Sequence, residues 1–383
     1  MNFSDTCPDF WKRFDKTKIE RNETMKKMRM TLTALLLVAA TLFSLFATGC
    51  AAGGKKAISY KDEVISTAVF QYLCSQKKTD YLYEAYGVDK SAMSSSQLQD
   101  NPTIWQATSA DGATVGDTLK SEVLDEAKLF LYMSNYAKSK GYTLGPDEKN
   151  LVKREFDKLV SNYGDKKTFN REMKKYGVGY DEMLEYNYLQ TLAYQGINLL
   201  FGENGTQRVS EENLEKYYKA NYATAACIFI NTKNKTYSNG KVVGMPEEER
   251  KEKLALADDL YAKIQAGEDF AELALKHSDQ AIDEASAKKG YTFAKGGFVN
   301  AQAEEKVWTM KNGEFARVDT DGGVYLLYRK PLNTDAYERV KETIRTQLEE
   351  VKKYALVSEV EKEFKINEDF LNELNIQEIP HVV

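Results

Sequence analysis

Residues 264–274 read IQAGEDFAELA and decide how the middle of the chain folds. This stretch ends one charged amphipathic segment, 246–266, and begins a second, shorter one, 269–277. Gly267 lies between them, and glycine is the residue that most readily takes the left-handed conformation found after a helix. We therefore expect two helices joined at Gly267.

Short strand signals surround this pair of helices. The run AACIFI at 225–230 is apolar and strand-like, and TYSNGKVVG at 236–244 is rich in turn residues. Further short strand and turn signals continue to Arg329. Helices that alternate with short strands over about 110 residues indicate a small α+β domain.

The half of the chain before this domain is predicted to be helical. Apolar residues recur at helical spacing in 57–89 and 116–139, whereas 91–114 is rich in Ser, Asn and Asp and is predicted to be a loop. Further helices are expected at the following places: 146–163, 167–176, 180–201 and from Ser210 onward. The first four helices after the loop each end close to a glycine, which is the preferred left-handed C-cap: Gly141, Gly164, Gly177 and Gly202.

The end of the chain continues this helical pattern. A long charged helix is expected at 336–364, and the tail at 366–383 has enough apolar residues to dock onto the body of the protein.

An export signal precedes the helices. Residues 25–30, MKKMRM, are basic, and 32–50, LTALLLVAATLFSLFATGC, form an apolar run that ends in small residues and Cys50. The alternative is a membrane-spanning anchor, but the apolar part is shorter than the roughly 20 residues that a spanning helix needs. The ending resembles the lipobox of bacterial lipoproteins, with Ala47 in place of the usual leucine. That resemblance implies that Cys50 is lipidated and becomes the first mature residue.

Composition limits the classes of function. Residues 1–49 contain 8 Lys/Arg and 5 Asp/Glu, so the mature chain would have 45 basic and 53 acidic side chains and a net charge of −8. An acidic chain repels nucleic acid, and no nucleic-acid partner is expected. Only His277 and His381 are present, so zinc sites and histidine-based catalysis have almost no ligands or bases available. Cys74 and Cys227 have no metal-ligand spacing, and either a disulfide or two free thiols fits them. We expect no cofactor and no metal.

Six segments of the middle domain occur in the order found in one enzyme class. They are the following: 225–230, 264–274, 277–279, 290–297, 307–314 and 320–327. In this order they resemble the parvulin (PpiC) class of peptidyl-prolyl isomerases. With the leader and the flanking helices, the chain resembles the PrsA-type foldases, with SurA as a looser relative.

This resemblance implies an α+β fold in which the N- and C-terminal segments form a helical chaperone domain and the parvulin-like domain is inserted between them. The expected division is the following: leader and signal peptide at 1–49, lipidated flexible spacer at 50–59, helical domain at 60–221, parvulin-like domain at 222–331, and C-terminal helix and tail at 332–383. Met25 is an alternative initiator, which would make 1–24 an overlong gene start.

The resemblance also implies site positions. Cys227 and Tyr325 stand where the family has histidines, and Gln280 stands where it has a cysteine or aspartate, or Asp279 if the register slips by one. Thr320 matches the family. The implied substrate pocket consists of Phe293, Phe298, Val299, Ala303 and Trp308. The structural alternative is that Cys227 is a small buried apolar residue and Tyr325 a packed strand aromatic.

The predicted function is that of a lipid-anchored foldase or chaperone with a degenerate isomerase site. Its partners would be unfolded or newly exported polypeptides at the extracytoplasmic face of the bacterial cell membrane, and a homodimer is left open. The first alternative is a catalytically active peptidyl-prolyl isomerase. A solute-binding lipoprotein is less favoured, because that class usually shows repeated βα units.

Overall fold

The computed structural model describes residues 55–108, 112–236 and 242–382. The signal segment and Cys50 lie outside the described residues, as does most of the predicted spacer. The chain divides into two compact units. The first takes in the residues up to Arg208 and those from Glu350 onward, and the second is Val209–Glu349. The fold class is α+β, as predicted.

The first unit is mainly helical. Its elements are β1 Lys56–Tyr60, β2 Glu63–Ser66, α1 Thr67–Tyr86, α2 Pro102–Gln106, α3 Val115–Ser139, α4 Pro146–Ser161, α5 Lys166–Met173, α6 Tyr180–Phe201, β9 Lys365–Ile366 and α13 Glu368–Glu373.

The second unit mixes helices and strands. Its elements are α7 Glu211–Asn221, β3 Tyr222–Asn231, β4 Asn234–Thr236, β5 Val242–Gly244, α8 Glu247–Gln265, α9 Phe270–His277, α10 Glu284–Lys289, β6 Tyr291–Ala294, α11 Ala301–Thr309, β7 Phe315–Thr320 and β8 Gly323–Lys330. Helix α12, Thr334–Glu359, contains the boundary at Glu350.

The start of the first unit differs from the prediction. Residues 56–59 were assigned to the spacer and 57–66 to a helix, but they form the β1–β2 hairpin, whose turn places Lys61 at a left-handed φ of 52°. Strand β1 also pairs with β9, with Ile58 opposite Ile366. The helix begins only at Thr67, where the Ser66 hydroxyl accepts a hydrogen bond from the Val69 N–H at 3.2 Å. Pairing with a strand some 300 residues away leaves no local signal.

The predicted loop at 91–114 contains local helical structure. A 3-10 turn at Ser95–Gln97 and the short helix α2 interrupt it, and α2 buries Trp105 in the core. Three of the four predicted glycine caps have positive φ values, but Gly202 has φ −63°, so its left-handed conformation was wrongly predicted. The long C-terminal helix ends at Glu359, five residues before the predicted end at 364.

Lys78 lies in the middle of α1 with its side chain fully buried. Its Nζ donates hydrogen bonds to the carbonyl oxygens of Ile376, at 2.8 Å, and Ile379, at 2.6 Å. Asp100 supplies a counter-charge at 2.5 Å, and the Trp105 ring centroid lies 5.0 Å from Nζ. A buried ammonium group is tolerated when its charge and its N–H groups are matched. This side chain therefore ties the C-terminal tail to α1.

The second unit is built on an antiparallel sheet with strand order β6-β3-β8-β7. Successive side chains of the central strand β3 point to opposite faces of the sheet. Ala226, Ile228 and Ile230 share a core with α8 and α9. Ala225 and Cys227 share a different core with α11. The sheet is therefore buried on both faces.

Helix α7 and the first part of α12 pack together within the second unit. Their contact buries Leu214 and Ile344. The buried Arg345 donates from Nη1 to the carbonyl oxygen of Val209, and a carboxylate oxygen of Glu349 accepts from the Val209 N–H at 3.0 Å. Because these helices share a core, they belong to the second unit.

The limits of the second unit consequently differ from the predicted domain limits. The sequence analysis placed the inserted domain at 222–331, whereas the compact unit is Val209–Glu349. The sequence indicated short strands in this region, but not which helices pack against them.

The described residues show the state of the two cysteines and whether any helix could span a membrane. Cys74 and Cys227 are both buried free thiols, so they form no disulfide with each other. None of the helices in the described ranges combines the length and the apolar character that crossing a membrane requires.

We predict that Lys78→Met lowers the free energy of unfolding by about 3–5 kcal/mol, because Asp100 and two buried carbonyl groups would lose their donor. Urea unfolding followed by circular dichroism measures this change. Lys77→Met is the matched control, since Lys77 forms a partly exposed ion pair with Glu122 at 2.9 Å. Loss of this ion pair should lower the free energy of unfolding by at most about 1 kcal/mol. Equal losses in the two variants would show that the buried network does not hold the tail.

Candidate functional site

The face of the sheet covered by α11 gathers most of the predicted site residues into one cluster, which we call the α11-face cluster. Its buried members are the following: Ala223, Ala225, Cys227, Phe293, Ala303, Val307, Met310, Ala316, Tyr325 and Leu327. Five partly buried side chains pack against them: Phe229, Tyr291, Phe298, Trp308 and Val318. The cluster thus unites Cys227 and Tyr325 with four of the five predicted pocket residues.

Cys227 and Tyr325 come together through strand register. In the β3–β8 pair, Tyr325 lies opposite Phe229 and Cys227 lies opposite Leu327. The Tyr325 and Phe229 rings are in contact, with centroids 4.7 Å apart and planes tilted by 36°. Relative exposure is 4% for Cys227 and 7% for Tyr325. Both polar groups are therefore packed into an apolar layer.

This burial determines the acid–base behaviour of the pair. Burial raises the pKa of the Cys227 thiol to about 11. Burial, with a smaller contribution from Cys227, also raises the pKa of Tyr325. Both groups consequently keep their protons at neutral pH. A general base works best with a pKa near the operating pH, and neither side chain meets that condition.

Thr320 and Gln280 lie outside the α11-face cluster. The Thr320 hydroxyl donates to the Gly323 carbonyl at 2.8 Å and closes the β7–β8 turn. Gln280 follows α9 and is partly exposed. Asp279, the alternative to Gln280, accepts from the Asn231 N–H at 2.9 Å and pairs with Lys253 at 2.7 Å. Asp279 therefore fixes its own segment to β3.

The predicted pocket forms in part. Phe293 contacts Phe298 with ring centroids 4.8 Å apart, and Trp308 packs edge-on against Phe293 at 6.4 Å. Ala303 is fully buried in the same cluster. Val299 is 46% exposed and is not part of the cluster. The aromatic trio of Phe293, Phe298 and Trp308 is thus the best-formed part of the site.

Glu304 holds the turn that carries Phe298. Its buried carboxylate accepts hydrogen bonds from the N–H groups of Gly296, at 2.6 Å, and Phe298, at 3.0 Å. It also accepts from the Trp308 Nε1–H at 3.1 Å. Three donors on one carboxylate fix both the turn and the Trp308 ring.

Sequence reasoning missed Phe229 and Glu304. The strand period places Phe229 two residues from Cys227 and therefore on the same face, so that signal was available. The role of Glu304 depends on a turn whose shape has no simple sequence signature.

The described ranges also contain no group of three or more His, Cys, Asp or Glu side chains that could hold a metal ion.

In the comparison with known proteins, the family match falls within the second unit, Val209–Glu349. Residues 212–328 match the family model described as the PPIC-type PPIASE domain. A protein named Foldase protein PrsA from Caldanaerobacter subterraneus subsp. tengcongensis is 23% identical over 342 residues, which cover 88% of this chain and 92% of that relative.

Two solved structures were also compared. The peptidylprolyl isomerase PrsA of Bacillus cereus has a TM-score of 0.30 and 17% identity, covering 70% of this chain and 89% of its own. A structure described as SurA-like from Campylobacter jejuni has a TM-score of 0.22 and 14% identity, covering 70% and 97%.

Residues 212–328 therefore match the PPIC-type peptidyl-prolyl isomerase domain family, and the predicted resemblance of the chain to the PrsA-type foldases is confirmed.

Proposed function

We propose that this chain is a foldase that binds unfolded or newly exported polypeptides at the extracytoplasmic face of the bacterial cell membrane, held there by a lipid on Cys50. One observation carries the proposal. A PPIC-type domain at 212–328 occurs in a chain whose outer segments fold into a separate, mainly helical unit. The relative that aligns with the chain over 342 residues is named a foldase.

The aromatic trio is the surface to which we assign client binding. Phe298 and Trp308 are partly exposed, whereas Phe293 beneath them is buried. Aromatic rings offer large contact areas with little conformational entropy to lose, and they accept many apolar partners. A rigid aromatic surface therefore suits extended clients of varied sequence.

We further propose that the isomerase site is degenerate. Its two histidine positions hold Cys227 and Tyr325, and both side chains are buried and protonated at neutral pH. Neither can exchange a proton readily with a bound peptide. On this proposal the protein helps folding mainly by transient binding, and fast proline isomerisation is not its principal activity.

The membrane anchor is proposed from the leader alone. Residues 25–30 supply a basic head, 32–50 supply the apolar run, and Cys50 stands at its end. Anchoring would place the client-binding surface where exported chains emerge unfolded.

The client-binding proposal predicts that the purified mature chain suppresses aggregation of a chemically unfolded protein, measured by light scattering. Phe298→Ala should weaken this effect about tenfold, because truncating a central aromatic contact typically costs that much. Leu275→Ala is the matched control, since Leu275 is an exposed apolar residue of the same unit, on α9. No suppression by the unaltered protein, or equal effects of the two variants, would contradict the proposal. Thermal melts confirm that both variants fold.

The anchor predicts that Cys50→Ser moves the protein from the membrane fraction to the soluble or secreted fraction, because the thioether-linked lipid can no longer form. Metabolic labelling with a fatty acid, followed by fractionation and immunoblotting, measures both effects. Cys74→Ser is the control, since that thiol is buried. Retention of label and membrane association in the Cys50 variant would rule out lipidation at this residue.

A further inference from the structure

Two cations lie against the ring of Trp308, at the edge of the aromatic trio. The guanidinium carbon of Arg329 is 6.0 Å from the ring centroid, and Nζ of Lys295 is 5.2 Å from it. Both distances fall within the range of a cation–π interaction. The trio therefore borders a positively charged edge.

Arg329 reaches this position from strand β8, where it lies opposite Ala225. Its Nη1 donates one hydrogen bond, to the Thr224 carbonyl at 3.2 Å. Its Nε is buried and has no acceptor among the described residues, and no acceptor for Nη2 occurs there either. Nη2 is not buried, so it is the guanidinium donor that a carboxylate outside the protein can reach, and a hydrogen bond between charged partners is stronger than a neutral one.

The charge around this edge is also unbalanced. Within the described ranges, neither Arg329 nor Lys295 forms an ion pair with a carboxylate. Two other largely buried arginines of the same unit, Arg317 and Arg345, each pair with two carboxylates. Arg329 thus departs from the pattern that this unit follows elsewhere.

Glu304, which accepts the Trp308 Nε1–H beside this edge, is already occupied. Its oxygens accept the N–H groups of Gly296, Phe298 and Trp308. It therefore organises the ring and the turn rather than neutralising the guanidinium. Burial lowers the pKa of Arg329, and among the residues that the structure describes no acidic neighbour opposes that effect. A half-buried guanidinium with unmatched donors weakens the fold unless something compensates it.

We propose that Arg329 and Lys295, arranged around the Trp308 ring, form a subsite for the carboxylate of an Asp or Glu side chain in the bound client. The inference rests on the proposed function and names its preferred substrate class. A client segment would place an acidic residue at this cationic edge and an apolar residue on Phe293 and Phe298. Such segments would bind more tightly than neutral or basic ones.

Fluorescence anisotropy with the full mature chain and short labelled peptides tests this subsite. The peptides share an apolar-Pro-apolar centre, carry Glu, Gln or Lys beside it, and have acetylated and amidated ends so that no terminal carboxylate competes. We expect the Glu peptide to bind about tenfold more tightly than the Gln peptide, as one charge-assisted hydrogen bond would give. The preference should shrink as salt is added.

Four variants locate the effect. Arg329→Met and Lys295→Met should each reduce the preference for Glu, and Arg329→Lys should keep part of it. Lys330→Met is the matched control, because Lys330 is the next residue on β8 and its Nζ lies 4.0 Å from the Tyr328 ring centroid, away from Trp308. If Arg329→Met does not fold, Lys295→Met decides the question, since Lys295 is exposed.

Equal affinity for the Glu and Gln peptides would overturn the subsite while leaving client binding intact. A preference for Glu that survives both Arg329→Met and Lys295→Met would also overturn it. Failure of all three peptides to bind would reject the subsite together with the proposed function.

Discussion

The central strand β3 carries the constraint on which the second unit depends, because both of its faces are buried. Ile228 and Ile230 face one helical layer, and Ala225 and Cys227 face the other. Any side chain on this strand must therefore suit an apolar interior, and a small thiol does so at little cost. The same burial keeps the thiol protonated, with its pKa raised to about 11. One packing requirement thus sets the chemistry of a position to which the sequence resemblance assigns a histidine.

The α11 face of this sheet has two ends with different chemistry. At one end, Cys227 and the Tyr325 ring are buried within the apolar layer, where Tyr325 contacts Phe229. At the other, the aromatic trio is partly exposed and Arg329 approaches Trp308 with unmatched donors. At the first end the thiol and the phenol are buried and keep their protons. At the second end the Arg329 guanidinium has hydrogen-bond donors without acceptors, as binding sites often do. This contrast favours a protein that holds clients over one that acts quickly on a proline bond.

Much of this arrangement could be predicted from sequence, and the failures have physical causes. Local signals located most helices well, as at Ser210, whose hydroxyl accepts the Asn213 N–H at 3.3 Å. The resemblance to the parvulin class placed Cys227 and Tyr325 in one site, and the β3–β8 register brings them to one face of the sheet. The β1–β2 hairpin was missed because β1 is stabilised by pairing with β9, a contact that no local pattern reports.

Loop geometry limited the prediction of the site. Val299 was expected in the pocket, but the turn anchored by Glu304 leaves it exposed. Thr320 has a hydroxyl that serves its own hairpin turn. In both cases the local hydrogen bonds of a turn decide the outcome, and the alignment of motifs could not reveal those bonds.

The claim that this protein works by binding rather than by catalysis is tested most directly by a protease-coupled assay of prolyl isomerisation. Uncatalysed isomerisation takes tens of seconds, so acceleration is readily detected. At protein concentrations that suppress client aggregation, we predict a rate within about twofold of the uncatalysed one, unchanged from about pH 5 to about pH 9 because Cys227 and Tyr325 keep their protons. An acceleration of about tenfold or more that Tyr325→Phe or Cys227→Ala abolishes would contradict this account.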